Sequence, residues 1–520
     1  MPALASALAL MMTGAAPATT LPALPPMASG YVFEDRNRNR KRDAGEPGLA
    51  NVKVSNGLSI TTTDRDGRWA LTYDEFMTPF FVIKPRGWMT PVDEKQLPQF
   101  YYIHAPEGLP KTRYGGMEPT GPLPASIDFP LHRQNEPDKF KAIVFGDTQP
   151  RDLREVDYIA RDVVEPLKGN TEGAMFGVTL GDIVFDNLDV MEPLAHVIAM
   201  IGLPWYNVLG NHDINFDTPD DARANSRWLK IYGPSYYSFE YGATHFVALD
   251  NVWWPGANNG GYTAALGPRQ LAWLKEDLRR VPENQLVVLM MHIPIMSMQD
   301  ADKAALFELI KDRPYVLSMS AHTHFQSHEF LGKEEGWPGQ GEHHHVVTVT
   351  ACGSWWQGAP DERGIPHTTM RDGAPNGYLI YTFDGNQYSM EFRAAGAPSS
   401  YQMNIYAPDV ASSGDQVEIM TNVFGGSERS KVEIRIGGGE WQTMTKANVQ
   451  DPVYLATFER DKAITAPYRP LPGAVNSNHI WRAELTVPAG KGLVPVEVRT
   501  TDMFGQVYHA TRGIRLVDKR

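Results

Sequence analysis

The sequence predicts an α/β domain built as a two-sheet sandwich, flanked by an N-terminal and a C-terminal all-β sandwich domain. Three patterns carry this expectation. Between about 139 and 395, apolar β-prone runs alternate with stretches whose apolar residues recur at i, i+3 and i+4, as in Leu271, Leu274 and Leu278. Outside that region the helical period is absent, and short strands alternate polar with apolar residues. Within it, five polar clusters each follow directly on an apolar run: Gly146-Asp147-Thr148-Gln149, Gly181-Asp182, Gly210-Asn211-His212-Asp213, Met291-His292 and His322-Thr323-His324.

Taken in order, residues 1–29 form a leader. An apolar, helix-prone stretch over 3–16 is followed by Ala16-Pro17-Ala18, which resembles a signal-peptide core with its cleavage site, although no Lys or Arg precedes it. A periplasmic or secreted protein is expected on that reading; an apolar tail is the alternative. No later run reaches the roughly 18–20 apolar residues of a membrane-spanning helix. Residues 30–135 read as the N-terminal β-domain, with strands such as 52–54 and 69–71 divided by Asp-Gly and Asn-Gly turns. Residues 136–397 form the α/β domain, with helices expected over 155–167, 188–200, 221–232 and 268–281, and later strands over 346–350, 378–383 and 388–392. Residues 398–520 return to period-two alternation in 417–423, 432–436, 485–487 and 494–498, with Gly-rich turns between.

Composition narrows the function. With 48 basic and 61 acidic residues the formal charge is −13. A protein that tracks a nucleic-acid backbone needs a basic face to displace counterions, so nucleic acid is disfavoured as a partner. The one cysteine, Cys352, excludes an internal disulfide framework.

In an open α/β sheet, ligands bind beyond the carboxyl ends of the strands, so the five clusters can converge on one crevice. Together they offer Asp, Gln, Asn and His side chains suited to two divalent cations. Their order resembles the calcineurin-like metallophosphoesterase superfamily, in a bacterial subfamily with added N- and C-terminal β-domains. The resemblance implies Asp147, Gln149, Asp182 and His324 at one metal and Asn211, His292 and His322 at the other, with Asp182 bridging. It further implies His212 as the group that contacts the phosphoryl oxygen or protonates the leaving group, with Asp213 orienting its ring. The implied activity is hydrolysis of small-molecule phosphate mono- or diesters by in-line attack of a metal-bridging hydroxide. An extracellular binding or scaffold protein with a degenerate phosphoesterase domain is the alternative.

Gln149 stands where the family usually has His, and a carboxamide oxygen is a harder ligand, favouring Mn or Fe over Zn at that metal. Phe185 stands where the purple acid phosphatases carry an iron-binding Tyr, so no tyrosinate-to-iron colour is expected. Beyond the ligands, Gly353-Ser354-Trp355-Trp356 and the Gly/Pro-punctuated run 361–377 form a long loop. Trp355 and Trp356 could stack on a substrate ring and Arg371 could pair with phosphate; equally, the Trp pair belongs to the core and the loop caps the sheet. His343-His344-His345 is expected as a surface cluster rather than a third metal site. In the N-terminal domain, Asp35, Asn37, Asn39, Asp43 and Glu46 occupy positions 1, 3, 5, 9 and 12 of a calcium-loop spacing, with Arg40 where Gly is usual. That loop resembles those of B-type repeats in bacterial adhesins and implies bound Ca; an Asp/Asn-rich turn pinned by its own hydrogen bonds is the competing reading.

Overall fold

Strands buried on both faces read as continuous apolar runs, and the strand Leu286–Met290 (LVVLM), buried throughout, is such a case. It lies inside one of two large sheets of the middle domain, seen in a computed structural model that describes residues 26–109, 112–464 and 467–517. The signal-peptide expectation falls on residues outside those described.

The first large sheet has five strands in the order Trp205–Val208, Ala174–Leu180, Lys139–Phe145, Gly377–Asp384 and Gln387–Ala394; the first three are mutually parallel and the last two run antiparallel. The second has six, in the order Tyr237–Tyr241, Thr244–Ala248, Leu286–Met290, Val316–Ser320, His343–Val347 and Ser327–Leu331, with a parallel centre and antiparallel edges. Aromatic rings join the two inner faces: Phe176 packs 5.6 Å from Phe239 and 5.3 Å from Phe246, and Tyr206 stacks 3.9 Å from Phe239. Because the parallel centres of both sheets end at one rim, the five polar clusters emerge together.

The helices cover the outer faces. Asp152 caps the helix Leu153–Ile159 by accepting from the backbone N–H of Arg154 and Glu155, and the chain continues helically through a π turn, Ala160–Val164, to Leu167. The helix expected over 221–232 is broken. It forms as Asp221–Ala224 and Ser226–Ile231, because Asn225 leaves helical geometry and sends its amide to Asp250.

The N-terminal domain is a sandwich of two four-stranded sheets, starting at the strand Met27–Glu34. Trp69 fills it, stacked 5.8 Å from Phe129 and tilted against Phe80. The C-terminal domain pairs a four-stranded with a five-stranded sheet over Ile419, Val432, Ile434, Trp481, Val496 and Ile514. The expectation that it is free of helix is corrected by Pro452–Ala463, which Asp451 caps through the Tyr454 N–H (2.7 Å) with Pro452 in the first turn. Of its apolar residues only Tyr454 is buried, so no amphipathic period announces it. The expected surface cluster His343-His344-His345 is also corrected: all three side chains are buried in a strand between Val316–Ser320 and Ser327–Leu331.

Candidate metal centre

Each cluster sits at a strand end, and three of the five hold a backbone shape that ordinary residues resist. Gln149, Asp182, His322 and His324 hold φ of +43°, +47°, +72° and +57°. Left-handed non-glycine residues cost about 1–3 kcal/mol each and persist where the surroundings over-determine them. Two glycines let the turns close: a Cβ on Gly210 would fall 1.9 Å from the Asp182 nitrogen, and one on Gly181 (φ +87°) would fall 2.5 Å from His292 Nδ1.

The side chains then converge with their acceptor atoms inward. His292, fully buried, donates Nδ1–H to the Leu180 carbonyl (2.8 Å), which leaves its Nε2 lone pair facing the site. Around that nitrogen lie Asn211 Oδ1 at 3.0 Å, Asp182 Oδ1 at 3.2 Å and His322 Nδ1 at 3.2 Å. Asp182, His292 and His322 offer ligand atoms that all lie within 4.8 Å of one another. Beside them, His324 donates Nδ1–H to the Gly353 carbonyl (2.6 Å) and brings Nε2 within 2.9 Å of Asp147 Oδ2. That oxygen is buried and makes no aligned hydrogen bond. Backbone-anchored imidazoles with their other nitrogens turned to carboxylates form a donor set that fits divalent cations. Gln149 reaches the same place: its Nε2 donates to Asp182 Oδ2 (2.7 Å), and a flip of the amide exchanges that nitrogen for the oxygen.

The electrostatics agree. Burial opposes a charged His292, yet the charges of Asp182 and Asp147 raise it to about 9, so that a proton is held where a cation would stand. Burial, then the charge of His292, pushes His322 down to about 4, leaving its lone pair free. Burial works to raise Asp182, but the neighbouring histidines hold it well below the usual carboxylate range.

His212 lies at the rim, partly exposed. Its N–H donates to Asp182 Oδ1 (2.9 Å), its Nε2 lies 4.0 Å from Asp182 Oδ2, and its ring stacks on Phe185 at 4.4 Å. The Arg151 guanidinium lies 4.4 Å from the Phe185 ring centre. The group that orients the imidazole is Asp186, whose Oδ1 is 2.6 Å from Nδ1. Asp213, expected in that role, instead accepts from the backbone N–H of Gly210 (2.8 Å), Ile183 (3.1 Å) and Val184 (3.0 Å), tying two strand-end turns together. Burial and then the charge of Asp182 raise Asp213 to about 7. Asp186 was open to sequence reasoning only as an acidic residue four positions past Asp182; nothing in the spacing distinguished it from Asp213.

The aromatic pair divides. Trp355 is half-buried with its ring 4.1 Å from that of His324, on the rim of the site. Trp356 is 3% exposed and donates Nε1–H to the Thr148 carbonyl (3.0 Å), so of the two readings of this residue the core one holds and not substrate stacking: it supports the Asp147–Gln149 turn. Arg371 donates Nε–H to the Gly473 carbonyl (2.9 Å) of the C-terminal domain. The run 361–377 packs behind the site, where Thr368 Oγ1 donates to the Cys352 carbonyl and Asn376 Nδ2 to the Ala351 carbonyl. Arg151, which donates to the Trp355 carbonyl (2.7 Å), and Tyr262, edge-on to His322 at 6.3 Å, are neighbours that no sequence pattern marked.

Far from this centre, Asp35, Asn37, Asn39, Asp43 and Glu46 meet in one turn. Asp35 accepts from the N–H of Asn39 and Arg40, Glu46 from that of Arg36 and Asp43, and both Asn amides donate to Asp43 Oδ2. Their oxygens are thus engaged with the turn's own donors.

Comparison with known protein families matches residues 140–326 to "Calcineurin-like phosphoesterase", 35–114 to "N terminal of Calcineurin-like phosphoesterase" and 343–508 to "C terminal of Calcineurin-like phosphoesterase". Among solved structures, a purple acid phosphatase from yellow lupin (Lupinus luteus) seeds is 12% identical, with 68% of each chain covered and a TM-score of 0.37. The PKD domain of an M14-like peptidase from a Thermoplasmatales archaeon is 14% identical over 22% of this chain and 93% of its own, with a TM-score of 0.14. No curated protein matches the chain.

Proposed function

Since the chain belongs to the calcineurin-like phosphoesterase family, in the arrangement with N- and C-terminal extension domains, we propose that it hydrolyses phosphate mono- or diesters of small molecules. The ligands in this reading are Asp147, Gln149, Asp182 and His324 for one cation and Asn211, His292 and His322 for the other, with Asp182 shared. The observation that carries it is the gathering of Asn211 Oδ1, Asp182 Oδ1 and His322 Nδ1 within 3.2 Å of His292 Nε2, a buried cluster of candidate ligand atoms of the kind that holds a divalent cation. Divalent cations of the Mn, Fe or Zn class, when bound, polarise the phosphoryl group and activate the attacking water.

The chain's own residues supply the rest. Burial opposes a charged His212, but the charge of Asp182 and the hydrogen bond to Asp186 raise its pKa above the ordinary imidazole value, which favours the protonated ring. Its Nδ1–H is held by Asp186, which directs the proton on Nε2 toward the crevice, where it serves a leaving-group oxygen or a phosphoryl oxygen. Trp355, beside His324, provides an apolar face for the organic part of the ester. The test is turnover of a panel of mono- and diesters by full-length protein beside His212→Ala. The expected result is hydrolysis lost by about 10²–10⁴-fold in the variant with its metal content unchanged. Equal turnover in both proteins, or none in either with metals loaded, would contradict the proposal.

A further inference from the structure

A cavity of about 310 Å³ lies where the N-terminal domain meets the α/β domain. Met77 enters it from the N-terminal side, and Tyr236 and Trp253 supply aromatic surface from the α/β side. The break in the helix at Asn225 puts three oxygen-bearing side chains on one wall: Asp221, Asn225 and Asp250. Asp250 Oδ1 accepts from the Val252 N–H (3.2 Å) and Oδ2 from Asn225 Nδ2 (3.1 Å), while Asp221 Oδ1 accepts from the Trp254 N–H (2.8 Å). Asn225 is 8% exposed, and its Oδ1 is a buried acceptor with no partner. Among the described residues no basic side chain forms an ion pair with either carboxylate. Arg269 lines the same cavity but donates to the Asn56 carbonyl (3.4 Å).

A buried unpaired amide oxygen is destabilising, and buried carboxylates without a counter-ion are more so. A wall made of acceptors selects a ligand made of donors with positive charge. A bare calcium-type cation needs six to eight oxygens at about 2.3–2.6 Å, whereas this cavity offers few oxygens and a largely apolar, aromatic remainder. Such surroundings suit a cation with a carbon body, because aromatic faces attract ammonium groups.

We propose that this interdomain cavity binds a small organic ammonium ion, its N–H groups received by Asp221 and by Asp250, which the Asn225 amide holds in place, and its carbon body by Met77, Tyr236 and Trp253. Burial, and then the charge of Asp221, raise Asp250 to about 7, and burial raises Asp221 to about 6; a bound cation supplies the counter-charge both lack. The site stands apart from the metal ligands and does not depend on the phosphoesterase reading.

The test is calorimetric titration of the full-length protein with ethanolamine and with putrescine, and with calcium chloride and glycerol as the inorganic and uncharged counterparts. One amine per chain is expected to bind, with affinity reduced about tenfold or more in Asp221→Asn and in Ala222→Trp. The first variant keeps an acceptor for the Trp254 N–H; the second places a bulky ring at the cavity's exposed edge and leaves both carboxylates chemically unaltered. Absence of amine binding to the unaltered protein, equal affinity in both variants, or displacement of the amine by equimolar calcium would overturn the proposal.

Discussion

His212 shows how much one residue depends on neighbours that the sequence places elsewhere. Its backbone is fixed by Asp182 and its ring by Asp186 and Phe185, all from the turn that follows Ala174–Leu180. Asp186→Asn removes the carboxylate that favours the charged imidazole but keeps a group of the same shape. We predict kcat lowered about 10–100-fold, with KM and metal content near those of the parent, and the alkaline limb of the pH–rate profile moved to lower pH. The sign follows from the raised pKa of His212: Asp186 helps hold the proton, so its loss lets the proton leave sooner as pH rises. Unchanged kcat with an unmoved limb would remove Asp186 from the account. The metal-ligand candidates were legible because a polar cluster directly after an apolar run marks a strand end. The role of Asp213 and the choice between core and rim for Trp356 are not legible, because adjacency in sequence does not tell which way a side chain leaves a tight turn.

Among the elements, the strand His343–Val347 departs most from its sequence reading, since three consecutive histidines suggested a solvated face. They are buried because Ser318 Oγ bridges His343 Nε2 and His345 Nδ1 at 2.7 Å each, Ser320 Oγ meets His345 Nε2 at 2.9 Å, and His344 lies between Tyr388 and His328. Burial lowers His343 to about 4, His345 to about 3 and His328 to about 4, and moves His344 well below its ordinary value. The unfolded chain therefore binds more protons than the folded one from about pH 6.5 down to those values. The stability these residues contribute is present in full above about pH 6.5 and is lost as pH falls toward 4, by about 1.4 kcal/mol per pH unit for each histidine kept neutral. Calorimetry over this range should show Tm falling steeply, and in His345→Gln the slope of stability on pH should shrink by about one proton. A flat Tm over the same range would contradict the burial of this strand. The helix Pro452–Ala463 was missed for the reverse reason: its cap was readable in Asp451-Pro452, but its face toward the protein is too narrow to leave a period.

At the scale of the whole molecule, domain order was legible from the change of period, while the docking of the domains was not, because it pairs residues far apart in sequence. The N-terminal domain is held by buried Lys84, which donates to Glu136 Oε1 (2.5 Å) and the Glu240 carbonyl (2.6 Å), and by Lys53 on Glu240 (2.9 Å). The C-terminal domain is held by His479, whose Nε2 lies 2.9 Å from Asp372 Oδ2 and whose Nδ1 lies 2.7 Å from Asn422 Oδ1. Asp372 also accepts from the Gln326 N–H (2.9 Å), two residues past His324, so this junction leads back to the metal centre. Asp372→Ala leaves His479 Nε2 and the Gln326 N–H without their acceptor and is predicted to cost about 1–3 kcal/mol, read as a lowered Tm and faster proteolysis between the last two domains. A variant as stable and as protease-resistant as the parent would contradict that coupling. The central claim, that the five strand-end clusters form one centre for two cations, is tested most directly by elemental analysis of full-length protein purified without chelators. The predicted result is about two transition-metal ions per chain, falling to about one or fewer in His292→Ala. Fewer than about one ion in the unaltered protein after loading with Mn, Fe or Zn, or the same content in both proteins, would contradict it.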